Sequence, residues 1–494
     1  MVEPMTTAQF DDGPDHRLTT AQTLVPVVGM VAFLGLGSGA LGLAPHAPLL
    51  WSIVLTGLVG RYWVGVEWDD LLGGVEGALR AGIQALLILF LIYALVATWI
   101  SAGTIPGMMY YGLGVLTPTV FLPVAAVLAG VVAFAIGSSW TTAGTLGVAF
   151  VGIGSGLGIP IPMTAGAVLS GAYAGDKQSP LSDTTNLAAA VTDTDLYHHI
   201  RGMRWGTLLA FGLSLLVYAW LGLSTTGSIP AGRVASIQTA IAGSYVLSPL
   251  VAVPLVVTFG LALRGRPALP TLVAGIFAGV GTTVLVQGVG FSAAWEVFLN
   301  GTAPETGVAL VDDLLASDGL SGSAWTVGVV VLALSLGGTL QATGVLSELA
   351  RRLTAAIRGR GSLVAGTGVA AFVTNALSAQ QYMSIVVPGM TLQDLYEEYG
   401  LDSRALSRAV EAVGTPSGAL LPWHAGGVYM MSVFGVETVQ VGLSIGVAYV
   451  GFPVPAYAPY YLFAFFSPLV FFFMTASGAA IEGASVSESV PADD

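Results

Sequence analysis

The chain of 494 residues is 54% hydrophobic and 9% charged, with a mean hydropathy of +0.82, where soluble domains carry about a quarter charged residues. This excludes a water-soluble globular protein, and the absence of Cys excludes disulfide frameworks, thiolate metal sites, iron–sulfur clusters and Cys nucleophiles. A net charge of −13 without a basic patch excludes nucleic acid as a partner.

In chain order, residues 1–21 form a polar acidic tail with Asp11, Asp12 and Asp15, without the basic region and small-residue cleavage site of a secretory signal. Apolar windows then follow at 22–44, 47–66, 81–101, 107–136, 142–172, 205–223, 237–263 and 268–290, forming a first membrane half over 22–290. Residues 291–323 are a loop with Glu296, Glu305, Asp312, Asp313 and Asp318 and no basic residue. A second membrane half over 324–477 holds windows at 325–346, 362–389, 408–433 and 440–477, and an acidic tail occupies 478–494. Windows such as 107–136 and 440–477 are too long for one straight helix and predict two short helices or a re-entrant hairpin each. The expected fold is an all-α polytopic membrane protein with about 11 to 14 segments, since lipid leaves backbone groups no partner outside a helix.

Fourteen of the fifteen basic residues are Arg, and the only Lys is Lys177. Arg264 and Arg266 in 261–268, and Arg351, Arg352, Arg358 and Arg360 in 345–361, predict cytoplasmic loops, and the acidic 291–323 loop predicts an external one. Acid-rich loops nearly devoid of Lys suit a protein from a salty medium.

Each half contains one stretch too polar for lipid. In GAYAGDKQSPLSDTTNLAAAVTDTDLYHH (171–199), Asp176, Lys177, Gln178, Ser179, Ser182, Asp183, Thr184, Thr185 and Asn186 surround Pro180. Pro180 breaks a helix and frees carbonyls, and carbonyls, hydroxyls and a carboxylate are what a dehydrated hard cation requires. A surface loop uses the same residue types as caps and turns. Lys177 beside Asp176 supplies a movable charge to pair with a carboxylate, or a side chain that snorkels. In RALSRAVEAVGTPSGALLPWHAGGVYMM (404–431), Glu411 lies in an apolar run broken at Gly414, Thr415, Pro416, Ser417 and Gly418, followed by Pro422, Trp423 and His424. Ser179-Pro180 and Thr415-Pro416 thus occupy matching positions, as in carriers built from two repeats with discontinuous helices around a central site. Coincidental Pro kinks are the alternative. A third polar spot, TNALSAQQYMS (374–384), adds Asn375, Gln380, Gln381 and Tyr382. GIGSGLG (152–158) with His198 or His424 imitates a serine hydrolase, but close helix packing accounts for it better. His198 and His199 are adjacent and face different sides of a helix, a poor metal pair. No HExxH, Walker A lysine loop or dinucleotide fingerprint occurs, and the chain is not expected to be an enzyme.

The stretches SAGTIPGMMYYG (101–112), GSSWTTAGTLGVAFVGIGSGLGIP (137–160), AGAVLSGAYAGDKQSPLSDTTNLAAAVTDTDLYHHIRGM (165–203), LSLGGTLQATGVL (334–346) and QQYMSIVVPG through LSRAVEAVGTPSGALLPWHAGGVYM (380–430) resemble the NhaC family of sodium/proton antiporters. The resemblance implies a multi-pass cell-membrane antiporter with two inverted repeats, exchanging Na⁺ for H⁺ without cofactor or tightly bound metal. Its partners are the two ions and the bilayer, with a homodimer left open. On this basis Asp183 or Asp176 carries the exchanged ion, and Ser182, Thr184, Thr185 and Asn186 supply neutral oxygens. Lys177 pairs or gates, Pro180 and Pro416 break the helices, and Glu411, Thr415, Ser417, Trp423, His424, Asn375 and Gln380 are the second-half contribution. Gln380 replaces a family Asp, and Ser417 to His424 depart from Ser-Pro-Leu-Ile-Pro-Trp-Asn. The family includes exchangers of small organic anions. The alternative is therefore a sodium- or proton-coupled exchanger of an organic acid or amino acid, with His424 and the Gln pair contacting the solute.

Overall fold

A computed structural model describes residues 17–224, 232–354, 357–445 and 448–479. The protein is a polytopic helical bundle. Eight helices in the described residues are long and apolar enough to cross a membrane alone, and a ninth span is possible from a pair bent by 95°. Two shorter apolar helices, Ala425–Phe434 and Leu462–Ala476, add to these.

The first helices are α1 (Thr20–Leu34), α2 (His46–Val59) and α3 (Trp68–Ser101). Thr19 caps α1 in a box with Gln22, while the first sixteen residues of the predicted acidic tail lie outside the described residues. At 34 residues α3 is about 50 Å long, exceeding a ~30 Å hydrocarbon core, so it runs past the bilayer or tilts in it. The 107–136 window resolves into two helices, as expected: α4 (Thr104–Val115) and α5 (Pro118–Ile136), with Pro118 at the first position where no N–H is needed. The 142–172 window divides too. Ser138 caps α6 (Ser139–Thr142), which continues through a π-helical turn into α7 (Val148–Gly156), and α8 (Ile161–Asp176) follows.

Next come α9 (Asp183–Val191), α10 (Leu196–Ser224), α11 (Arg233–Ser244), α12 (Val253–Leu263) and α13 (Ala268–Leu285). The acidic 291–323 segment, expected as a loop, is folded: α14 (Phe291–Asn300) and α15 (Ala309–Leu314) are tied by a Thr302–Ser317 bridge. The second half contains α16 (Ser323–Ala342), α17 (Val345–Thr354), α18 (Arg360–Ser378), α19 (Met383–Glu398), α20 (Ser403–Ser417), α21 (Ala425–Phe434) and α22 (Leu462–Ala476). Part of the Arg-rich 345–361 segment is helical as α17, where Arg351 and Arg352 both bond Glu348, and Arg352 also reaches the Leu18 carbonyl. One expectation fails. The 440–477 window holds an antiparallel hairpin, β1 (Thr438–Ile445) with β2 (Ala448–Pro455), in place of a helix before α22. Alternating β-branched residues favour the strands, and two Pro spaced by one residue, Pro453 and Pro455, would remove two helix donors within one turn.

What positions the site is the α5–α8 contact. A Cβ on Gly171 or Gly175 would collide with the α5 carbonyls of Ala126 and Gly130 respectively. Only glycine lets the two backbones approach this closely, the usual means of helix association where lipid offers no hydrophobic drive.

Candidate functional site

The first polar stretch folds as two half-helices meeting at a break. After α8 the chain makes successive tight turns: Gln178 N–H bonds the Gly175 carbonyl, Ser179 N–H bonds Asp176 and Ser182 N–H bonds Ser179. Pro180 supplies no N–H there. Asn186 locks the break, its amide donating to the Pro180 and Ser182 carbonyls at 2.9 and 2.7 Å. Ser182 caps α9 by accepting from Thr185 N–H, which leaves Asp183 in the first turn, where the helix dipole favours an anion.

The two carboxylates differ in setting. Asp176 is 3% exposed, and its Oδ2 accepts the Ser139 N–H at 3.0 Å, at the start of α6, while its Oδ1 is buried without a protein partner. Asp183 is exposed to the cavity between the halves. Its Oδ1 accepts from Thr184 N–H at 2.8 Å and its Oδ2 from the Tyr382 hydroxyl at 2.5 Å. Both line one cavity together with Trp140, Thr184, Gln380, Gln381 and His424. Gln380 is buried, and neither end of its amide has a protein partner. The Trp140 ring stacks on Tyr429 at 4.5 Å. Among the described residues two carboxylates and no Lys or Arg line this cavity, so it favours positive charge.

Lys177 does not join them. Its Nζ bonds Ser467 Oγ at 3.3 Å and lies 5.6 Å over the Phe463 ring, and among the described residues it forms no ion pair with Asp176. The ammonium lies instead beside a separate small pocket lined by Met203, Thr207, Arg408 and Ser467.

The second polar stretch is also a break, between α20 and α21. Pro416 withholds the donor that would take the Ala412 carbonyl, and Ser467 Oγ occupies that carbonyl at 2.8 Å. Asn375 knits the rest, donating to the Gly414 carbonyl and Ser417 Oγ and accepting from His424 Nε2 at 2.8 Å. His424 Nδ1 in turn accepts from Gly426 N–H at 2.9 Å and caps α21, so the ring is neutral with its proton on Nε2. Trp423 Nε1 donates to the Ala376 carbonyl at 2.8 Å, and the Thr415 hydroxyl is buried without a partner.

Glu411 joins the halves. Fully buried in α20, its Oε1 accepts from Thr184 and Thr185 hydroxyls at 3.3 and 3.1 Å, and its Oε2 meets His199 Nε2 of α10 at 2.6 Å.

The structure therefore brings Asp176, Asp183, Thr184, Gln380 and His424 to one cavity, with Thr185 and Glu411 directly behind it. Ser182, Asn375, Ser417 and Trp423 have their side-chain polar atoms committed within the two breaks, and Asn186 donates its amide nitrogen there. Sequence reasoning missed Ser139, Trp140 and His199 as parts of this region, and left Tyr382 without a role. Ser139 and Trp140 stand in the GSSWTTAG stretch, and their signal was a helix start after a Gly, but nothing local tells which carboxylate it faces. Ser155, the candidate nucleophile, has no histidine partner among the described residues.

A model of the Na⁺/H⁺ antiporter family matches residues 171–472, from the first break to α22. The chain belongs to this family. It is 50% identical over 479 residues to the arginine/ornithine antiporter ArcD of Halobacterium salinarum, covering 96% of this chain and 95% of that one. It is 34% identical to the Na⁺/H⁺ antiporter NhaC of Alkalihalophilus pseudofirmus, covering 92% of this chain and 95% of that one. It is 31% identical to the malate-2H⁺/Na⁺-lactate antiporter of Bacillus subtilis, covering 88% and 96%. Members with these names thus span inorganic and organic solutes on one sequence pattern.

Proposed function

We propose that the protein is a cell-membrane antiporter that exchanges cationic amino acids at the cavity holding Asp176 and Asp183. The observation that carries this is the lining among the described residues: two carboxylates, no Lys or Arg, a Gln380 amide without a protein partner and the Trp140 face. The carboxylates take an ammonium or guanidinium, a ring face adds cation–π attraction, and the Gln380 amide suits an α-carboxylate. The relative named for arginine and ornithine exchange supports the same substrate class. Organic anions such as lactate or malate fit this lining poorly.

A second reading is Na⁺/H⁺ exchange at Asp183, favoured by the family and by the relatives named for it. Here Na⁺ and H⁺ compete for one carboxylate, with Thr184 and Asp176 as further oxygens, and competition suffices for exchange. In both readings the breaks let the halves rock around a fixed site, the Arg-rich segments 261–268 and 345–361 face the cytoplasm and the 291–323 segment faces outward. The acid-rich, Lys-poor composition supports a salty habitat.

The test uses proteoliposomes in high KCl loaded with labelled arginine, with external arginine, ornithine, lactate, malate or NaCl added in turn. Efflux driven by external cationic amino acids and not by NaCl supports the first reading. Alkalinisation or acidification of the lumen by NaCl alone, with no arginine efflux, supports the second and overturns the first.

A further inference from the structure

One buried titratable cluster plays no part in the cavity. Glu411 and His199 are both fully buried, 2.6 Å apart, and neither lines the cavity. His199 Nδ1 lies 2.8 Å from Ser407 Oγ, and that hydroxyl is placed to donate to the Arg404 carbonyl at 3.1 Å. Ser407 is then the acceptor, so Nδ1 carries a hydrogen. Oε1 of Glu411 is occupied by two incoming threonine hydroxyls, so the short Nε2–Oε2 contact must hold a second hydrogen, shared between imidazole and carboxylate. This arrangement is the loaded form of a pair that has an equally bonded unloaded form. When one proton leaves to the medium, the Ser407 hydroxyl turns to donate to Nδ1, and Nε2–H still donates to the carboxylate. The two forms differ by one proton and the swing of one hydroxyl.

We propose that the Glu411–His199 pair is a proton-binding site coupled to the cation cavity through Thr184 and Thr185. The coupling has a short path. Unloading leaves an unneutralised carboxylate, and hydrogen bonds to an ionised acceptor are about twice as strong as neutral ones. Glu411 then grips the first turn of α9 more firmly, and that turn carries Asp183. Conversely, a cation arriving beside Asp183 opposes the loaded form by its charge. By linkage the two effects are equal.

The other charged groups near the pair are few. The first break presents Lys177 and Asp183, both within electrostatic reach of Glu411. On α20 itself stand Arg404 and Arg408. Along α10 lie His198, Arg201 and Arg204, with Tyr197 and Tyr218. From α18 there is Arg360, whose Nε bonds the Tyr399 carbonyl, and from α19 Tyr396, bonded to Thr367, with Asp394, Glu397 and Glu398 on its last turns. The α22 helix has no titratable side chain.

The proposal rests on reading the cavity as the cation site, and its test separates the two. Purified protein is titrated with arginine, and separately with NaCl, in buffers of different ionisation enthalpy, which yields binding and protons released from one calorimetric series. The wild type is expected to release up to about one proton per bound cation. His199→Gln and Ser407→Ala are expected to cut that ratio severalfold. In ¹⁵N-histidine-labelled wild type, one of only five histidines, assigned by its absence in His199→Gln, is expected to pass from doubly to singly protonated on cation addition. No binding heat with either cation defeats the cavity reading alone. Binding accompanied by an unchanged His199 signal, or by wild-type proton release in His199→Gln, overturns the proton site.

Discussion

The Tyr382 hydroxyl donates to Asp183 Oδ2 at 2.5 Å, joining the segment that precedes α19 in the second half to the first turn of α9 in the first. It is a direct tie across the cavity between residues 199 positions apart, and it ends on the carboxylate that the proposed exchange uses. Cation binding therefore competes with the tie, and that competition can convert occupancy into relative movement of the halves.

Tyr382→Phe removes the tie without changing ring volume. A hydrogen bond to a charged group contributes about 1.5–3 kcal/mol, so the conformer it holds loses tenfold or more in population. The chain contains no Cys, so Gln380→Cys creates a unique reporter inside the cavity. A cationic thiol reagent is predicted to label that Cys about tenfold faster when Tyr382→Phe is also present. Equal labelling rates would contradict the tie.

His424 is a scaffold in this site. Both its ring nitrogens are committed, one to Asn375 and one to Gly426 N–H. His424→Ala removes the α21 cap, at a cost of about 0.5–2 kcal/mol, and leaves the Asn375 carbonyl oxygen short of a donor. The expected result is a lowered melting temperature with the pH profile of transport keeping its wild-type midpoint. A displaced midpoint at wild-type stability would make His424 a proton carrier.

The α5–α8 seam sets the height of Asp176. Gly171→Ala or Gly175→Ala forces the seam apart, because the added Cβ meets backbone carbonyls and not movable side chains. Overpacking of this kind costs about 1–3 kcal/mol. Thermal unfolding in detergent should show the loss for both variants, and a neighbouring change at Gly212, where a Cβ meets nothing within 4 Å, should show almost none.

The folded acidic segment is expected to be pH-sensitive. The Thr306 hydroxyl, followed by its N–H, bonds Asp312 Oδ1 at 2.7 Å each, and holds that carboxyl below its ordinary value. A lowered carboxyl stabilises the segment above the ordinary aspartate range, and the contribution fades as pH falls through the folded value. Hydrogen-exchange protection over 302–317, measured relative to the intrinsic rate at each pH, should fall on acidification in the wild type and be low at all pH values in Asp312→Ala.

Most of the helical fold was legible because apolar runs and breakers are local signals. Pro118, Pro180 and Pro416 mark real interruptions, and both long windows in the first half divide where Gly and Pro stand. The 440–477 window was expected to hold two short helices or a re-entrant hairpin, and length and hydropathy do not distinguish either from the β-hairpin and single helix found there. Within the site, the residue types were legible and their directions were not. Asn375 has the chemistry of an ion ligand, yet both ends of its amide are consumed in holding the second break, while Asn186 spends only its amide nitrogen on the first. Lys177 adjoins Asp176 in sequence, but its side chain leaves α8 toward Ser467. The Glu411–His199 contact spans 212 positions, and no local pattern announces it.

The central claim is obligatory exchange at the Asp183 cavity. The most direct measurement is efflux of labelled arginine from proteoliposomes with and without external arginine, comparing wild type with Asp183→Asn at equal reconstitution. The account predicts efflux only when external cation is present, and none in Asp183→Asn under either condition. Wild-type exchange in Asp183→Asn, or efflux into cation-free medium, would contradict it.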